Sequence, residues 1–301
     1  MSPTNDLAIT SRNAGLSTFP MSYPSLTETE PGEILIQPRS GWIPINWREL
    51  SDFRELLFFL ALRDVKIRYK QTVLGVAWAV LQPLLTMIIF SVIFGRFAGV
   101  PSQGFPYPVF VFAGLIPWMF FANGVAAAAQ SLVNQQQLLT KIYFPRLFVP
   151  TASVVAFLVD LLISLSLYAL ILVYYGVTPG WQIVFLPLLV VATVTATLGL
   201  GYSLAALTVL YRDFRYTVPF MIQILLYLSP VIYPMSLLSQ RYQWILALNP
   251  MCGIIEGYRA ALLGTPWHPM IILIGSAVNV GMLLFGLFFF RRTERQFADI
   301  A

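Results

Sequence analysis

The chain has 301 residues, 58% of them hydrophobic and 10% charged, with a net charge of +5 and a mean hydropathy of +0.75. Soluble domains carry roughly a quarter of charged residues, so a water-soluble enzyme or binding module is excluded. The positive balance does not point to nucleic acid, because the cations flank apolar runs and form no basic face of their own.

In chain order, residues 1–45 come first, with six prolines and eleven serines or threonines and few large apolar side chains. Such a segment cannot bury enough surface to offset its ordering entropy. It reads as a flexible cytoplasmic arm, with a partner-binding arm as the alternative, and it contains no apolar core of secretory-signal length. Residues 46–301 form the membrane domain.

Asn46-Trp47-Arg48-Glu49 carries the pattern of a capping box. Behind it, Trp47, Leu50, Phe53, Leu57, Phe58 and Ala61 recur near helical spacing, with Arg48, Asp52, Arg54 and Glu55 mostly between them. Arg48–Asp52 and Asp64–Arg68 are i,i+4 pairs. The pattern predicts an amphipathic helix in the headgroup layer, with Arg63, Lys66, Arg68 and Lys70 near anionic lipid. It serves as an anchor for the first span, as a face for a cytoplasmic partner, or as both.

Six runs then reach the roughly 20 apolar residues that cross a bilayer core. They are Val73–Gly95, Phe105–Val133, Leu147–Gly176, Trp181–Tyr211, Thr217–Gln240 and Pro269–Phe290; only the third contains a charge, Asp160. An even number of spans puts both termini on one side. That side holds thirteen membrane-proximal Lys and Arg, against Arg96, Arg241 and Arg259 opposite. The positive-inside rule makes it the cytoplasm.

Between spans two and three, Leu132–Arg146 reads as a short polar cytoplasmic helix ended by Pro145, or as a plain connector. Tyr211–Tyr216 is the second cytoplasmic turn. On the other side, Arg241–His268 is too long and too apolar for a simple turn, and Pro250 and Gly253 interrupt it. It predicts a re-entrant pair of short helices, tolerable in lipid only where protein covers the broken backbone. Glu256 and Arg259 can pair within it.

Asp160 is the deep ionisable group of the spans, open to a structural role in joining two helices or to a substrate role. Thr217–Gln240 contains Pro219, Pro230 and Pro234, and each proline removes a backbone donor and bends or breaks a helix. This span and the first are therefore placed along a channel, with Trp78, Phe90, Tyr227 and Tyr233 as candidate sugar-contacting rings. Packing against neighbouring helices is the alternative for each.

Catalytic patterns are missing. No Gly-Lys dipeptide occurs, so the sequence has no phosphate-cradling loop of the GxxxxGK[ST] type. One histidine, His268, and one cysteine, Cys252, do not make a zinc site or a Ser-His-acid triad. No metal and no cofactor is expected in this chain.

The run Leu62–Leu84, reading LRDVKIRYKQTVLGVAWAVLQPL, resembles the start of the first span in ABC-2 type polysaccharide-export permeases. Tyr211-Arg212-Asp213-Phe214-Arg215, Leu248-Asn249-Pro250 and Gly257–Gly264 continue the resemblance in order and spacing. Within that family, exporters of lipid-linked O-antigen are most similar, and capsule and teichoic-acid exporters are also similar. The resemblance implies an all-α membrane protein with six transmembrane helices, an N-terminal amphipathic interface helix and re-entrant helices before the last span. It implies a homodimer in the bacterial inner membrane that recruits two copies of a separate ATPase, which would hold ATP and Mg. It also implies contact with that ATPase at Arg63, Asp64, Asn134, Gln135, Gln136, Lys141, Arg212 and Asp213. Asn249, Pro250, Glu256 and Arg259 would belong to an outer gate. The competing readings are a membrane enzyme acting on lipid-linked sugars, for which convergent acids are sparse, and an ABC-2 permease for drugs or small lipids.

Overall fold

The computed structural model describes residue 51 and residues 53–70, 75–136 and 144–294, with backbone alone at 75 and 76. The arm 1–45, the capping box at Asn46–Glu49, Asp52 and Lys141 lie outside the described residues. What is described is helical, without a strand.

Helix α1 (Arg54–Lys70) precedes α2 (Gly75–Phe90), which continues through a π-helical turn, Ser91–Phe97. Then come α3 (Tyr107–Asn134), α4 (Phe148–Ala156), α5 (Leu158–Tyr175) and α6 (Leu186–Leu210), the last entered through a 3₁₀ turn at Trp181–Phe185. α7 (Phe214–Leu228), α8 (Gln240–Ala247), α9 (Pro250–Leu263) and α10 (Pro269–Glu294) complete the order. Among the described residues, five helical stretches are long and apolar enough to cross a membrane: Ala77–Phe97, Tyr107–Asn134, Phe148–Tyr175, Trp181–Leu210 and Pro269–Glu294. They coincide with five of the six expected runs to within a few residues.

The fifth expected span differs. Thr217–Gln240 becomes the 15-residue α7 followed by a non-helical stretch to Pro234. At about 1.5 Å per residue, α7 covers roughly 22 Å, less than the roughly 30 Å of a hydrocarbon core. The break falls where Pro230 and Pro234 remove backbone donors.

α3 is the centre of the bundle. In its most apolar window 78% of residues are buried, against 11% in the Ala77–Phe97 window. α6 packs against both α3 and α10. The α6–α10 crossing depends on Gly199 and Gly286: a Cβ on Gly286 would lie 2.3 Å from the Gly199 carbonyl oxygen. Small residues let backbones approach where apolar burial supplies no drive between helices in lipid.

α1 lies against α4, burying Leu60 and Ala61 with Phe53, Leu56 and Leu57 partly covered. This corrects one detail of the amphipathic reading. Phe58, assigned to the inner face, is exposed together with Phe59, because successive residues turn by about 100° and the i, i+4, i+7, i+11 face through Phe53, Leu57, Leu60 and Asp64 takes the contact.

Candidate coupling and substrate-path sites

Two polar constellations stand out, one at each end of the bundle. The first repairs the broken backbone after α7. Asn249 caps α9, its side chain accepting from the Met251 N–H at 3.0 Å. Its amide nitrogen donates to Leu228 O at 3.2 Å and to Ser229 Oγ at 2.9 Å. Arg259, one face further along α9, donates to Val231 O at 2.7 Å and to Tyr233 O at 3.3 Å. The Tyr107 hydroxyl, from the first turn of α3, donates to Ile232 O at 2.7 Å. Side chains from α3 and α9 thus take up the carbonyls that no helix satisfies, as a lipid-embedded break requires.

Arg259 is fully buried and Glu256 is 3% exposed; the pair closes at 3.1 Å. The guanidinium also sits 3.8 Å from the centre of the Phe110 ring, a cation–π contact whose worth rises when desolvated. The anticipated Glu256–Arg259 pair is therefore present. Gly264 then ends α9 in the left-handed conformation, φ 73°.

The second constellation clasps α1 to α5. Arg68 donates to Asp160 at 2.7 Å and the Tyr69 hydroxyl donates to the other carboxylate oxygen. Arg68 also lies 3.4 Å from the centre of the Phe157 ring, at the residue that separates α4 from α5. One turn earlier, Ser153 donates to Asp64 at 3.3 Å, and Arg63 pairs with Asp64 at 2.8 Å. Burial, with the Asp160 carboxylate beside it, pushes the Tyr69 phenol well above its ordinary range, so it remains a donor. Asp160 is thus a link between helices. In place of the expected Asp64–Arg68 pair, Asp64 pairs with Arg63 and Arg68 with Asp160.

Asp160 also borders a cavity of about 30 Å³ with Gln82, Pro83, Asn123 and Ser164, between α2, α3 and α5. Pro83 leaves the Ala79 carbonyl without its helical donor, and Ala79 lines the same cavity. The volume suits about one water molecule.

The remaining candidates separate. Trp78 and Tyr227 are 55% and 59% exposed, on α2 and α7. Phe90 packs edge-on against Phe94, and the Tyr233 hydroxyl reaches Tyr227 O at 3.4 Å. Asn134, Gln136, Arg212 and Asp213 are exposed at helix ends, with Gln135 half-buried. Pro250 is the first residue of α9. The sequence reading missed Tyr69, Ser153, Phe157, Tyr107 and Phe110. The available signal was register: Arg68 lies seven residues beyond Ala61, and Phe157 three before Asp160, each pair on one helix face.

Residues 55–263, more than two-thirds of the chain, match the family described as ABC-2 type transporter. The chain belongs to the ABC-2 type transporter family. It is 34% identical over 258 residues to the O-antigen export system permease protein RfbA of Myxococcus xanthus, covering 84% of this chain and 97% of that protein. An RfbA of Klebsiella pneumoniae is 28% identical over 247 residues, covering 82% and 95%. The polysialic acid transport protein KpsM of Escherichia coli is 24% identical over 218 residues, covering 68% and 80%. The ABC-2 type family is one of transport subunits.

Proposed function

We propose that this chain is the membrane-spanning permease of an ATP-driven exporter of lipid-linked polysaccharide of the O-antigen type. The similarity along nearly the whole length of two O-antigen export permeases carries the reading. Physically, a glycan cannot cross lipid unaided, since each unpaired hydroxyl costs several kcal/mol, about 2–7 by reference state. The chain works as a homodimer in the bacterial inner membrane, both termini cytoplasmic, with two copies of a separate ATPase that binds ATP and Mg. The thirteen basic residues on the terminal side support that orientation. α2 and α7, with Trp78 and Tyr227 exposed, form the walls of the path between subunits. Arg212, Asp213 and the end of α3 at Asn134 face the ATPase, and α8–α9 form the outer gate.

The similarity to KpsM favours capsule-type glycan export as the second reading. The test is deletion and complementation in the source cells. Loss of the chain should leave lipid-linked polysaccharide on the cytoplasmic side, and co-purification should recover an ATPase carrying a Walker loop. Surface polysaccharide that persists without the chain overturns the proposal.

A further inference from the structure

A second pocket, mostly apolar with three polar side chains in its lining, lies far from the clasp. It measures about 180 Å³ and is lined by Gln240, Gln243 and Trp244 of α8, and by His268 and Met270 at the start of α10. Its place in the fold is defined by α10, whose last residue, Glu294, accepts from Arg146 at the basic end. His268 precedes the first residue of that 26-residue helix, so roughly 39 Å of helix separates the pocket from the basic face. Under the orientation proposed above, it opens on the outer side.

The lining has a particular chemistry. No Lys or Arg contributes to it, so it is poorly suited to a phosphate, which Arg and Lys recognise. Trp244 is 44% exposed and offers an indole face. Gln243 is held in place: its amide nitrogen donates to Met235 O at 3.2 Å and Leu238 O at 2.9 Å, leaving the amide oxygen as an acceptor. Gln240 adds an amide and His268 an imidazole, both able to donate and accept. The backbone of His268 is anchored, its carbonyl accepting from Ile271 and Ile272. An aromatic face beside amide and imidazole groups is complementary to a sugar ring, apolar on its axial C–H face and polar at its rim. The volume admits one ring and its hydroxyls and is below that of pockets for drug-sized ligands.

We propose that this pocket is a subsite for one neutral sugar ring of the exported glycan, on α8 and the start of α10 at the outer end of the path. The inference rests on the export reading, and it adds a place of contact away from α2 and α7.

The test uses the full chain with its ATPase in lipid nanodiscs and saturation-transfer NMR. The probes are the methyl glycosides of glucose, galactose and mannose, with sn-glycerol 3-phosphate as the headgroup probe. At least one glycoside should receive saturation from the wild type. The apparent affinity should fall about two- to tenfold in Trp244→Ala, the loss expected for one stacked ring, and be kept in Trp244→Phe. Gln240→Ala, at an exposed position, should weaken binding in the same direction. No glycoside signal, equal signals in wild type and Trp244→Ala, or a Trp244-dependent signal for sn-glycerol 3-phosphate alone overturns the subsite. Binding is read without transport, so a chain that binds glycoside yet fails to restore export in deletion cells overturns the export reading and not the pocket.

Discussion

The two ends of the bundle use the same parts in different surroundings. After α7, Arg259 pairs with Glu256, stacks on Phe110 and donates to two carbonyls, with both charges removed from solvent. At the clasp, Arg68 pairs with Asp160 and stacks on Phe157, but the two side chains are 33% and 27% exposed. A fully buried pair is costly to form and very costly to halve. A partly exposed pair is screened by water and salt, and contributes little more than its geometry. The outer constellation therefore belongs to the fold, since the broken backbone cannot exist in lipid without it. The clasp is the more weakly held of the two, since water reaches both of its charges.

The largest expected effect tests the outer constellation. Arg259→Met strands Glu256 and the carbonyls of Val231 and Tyr233, at a cost of about 3–5 kcal/mol. The detergent-purified protein should lose its cooperative melting transition or elute as aggregate in size exclusion. Adding Glu256→Gln should recover part of the loss, because no unpaired charge then remains. A single variant that melts with the wild type would show that the break is held by other means.

A smaller effect is expected at the clasp. Asp160→Leu leaves Arg68 and Tyr69 without their shared acceptor and should cost about 1–2 kcal/mol, read as a lower melting temperature and faster proteolysis of α1. Asp160→Asn keeps hydrogen-bonding capacity and should assemble and export normally. Export abolished in Asp160→Asn, with the complex intact, would mean that the charge itself takes part in transport.

The smallest stability effect is expected at the two exposed rings of the proposed path, Trp78 and Tyr227. Trp78→Ala and Tyr227→Ala remove exposed rings and should change stability by no more than about 0.5 kcal/mol, while polysaccharide export falls. A marked drop in melting temperature would assign these rings to packing instead.

The sequence was most legible where one interaction dominates. Apolar runs bounded by charge delivered five spans nearly residue for residue, because membrane burial of a helix depends on composition and length alone. The two short helices of Arg241–His268 and the Glu256–Arg259 contact were legible too, the first from Pro250, which starts α9, the second from i, i+3 spacing on one face; Gly253, expected to interrupt the segment, lies inside α9. Alternatives stayed open at Asp160, since one carboxylate in a span fits a structural or a functional role equally until its partner is seen. Phe58 was misassigned because an amphipathic helix with two adjacent exposed aromatics has a broad apolar arc, and only docking on α4 selects its centre.

By itself, the sequence determined that this is a multi-span α-helical membrane protein, where five of its membrane-capable helices lie, and that it carries no GxxxxGK[ST] motif. These are local properties, decided by the transfer of short segments from water to lipid. Only the tertiary structure decided that Arg68 bonds Asp160 across 92 positions, that Tyr107 and Arg259 satisfy the backbone after α7, and that Trp244 and His268 share a pocket. Such pairings depend on which helix faces meet, and residue identity along one helix does not specify its neighbour.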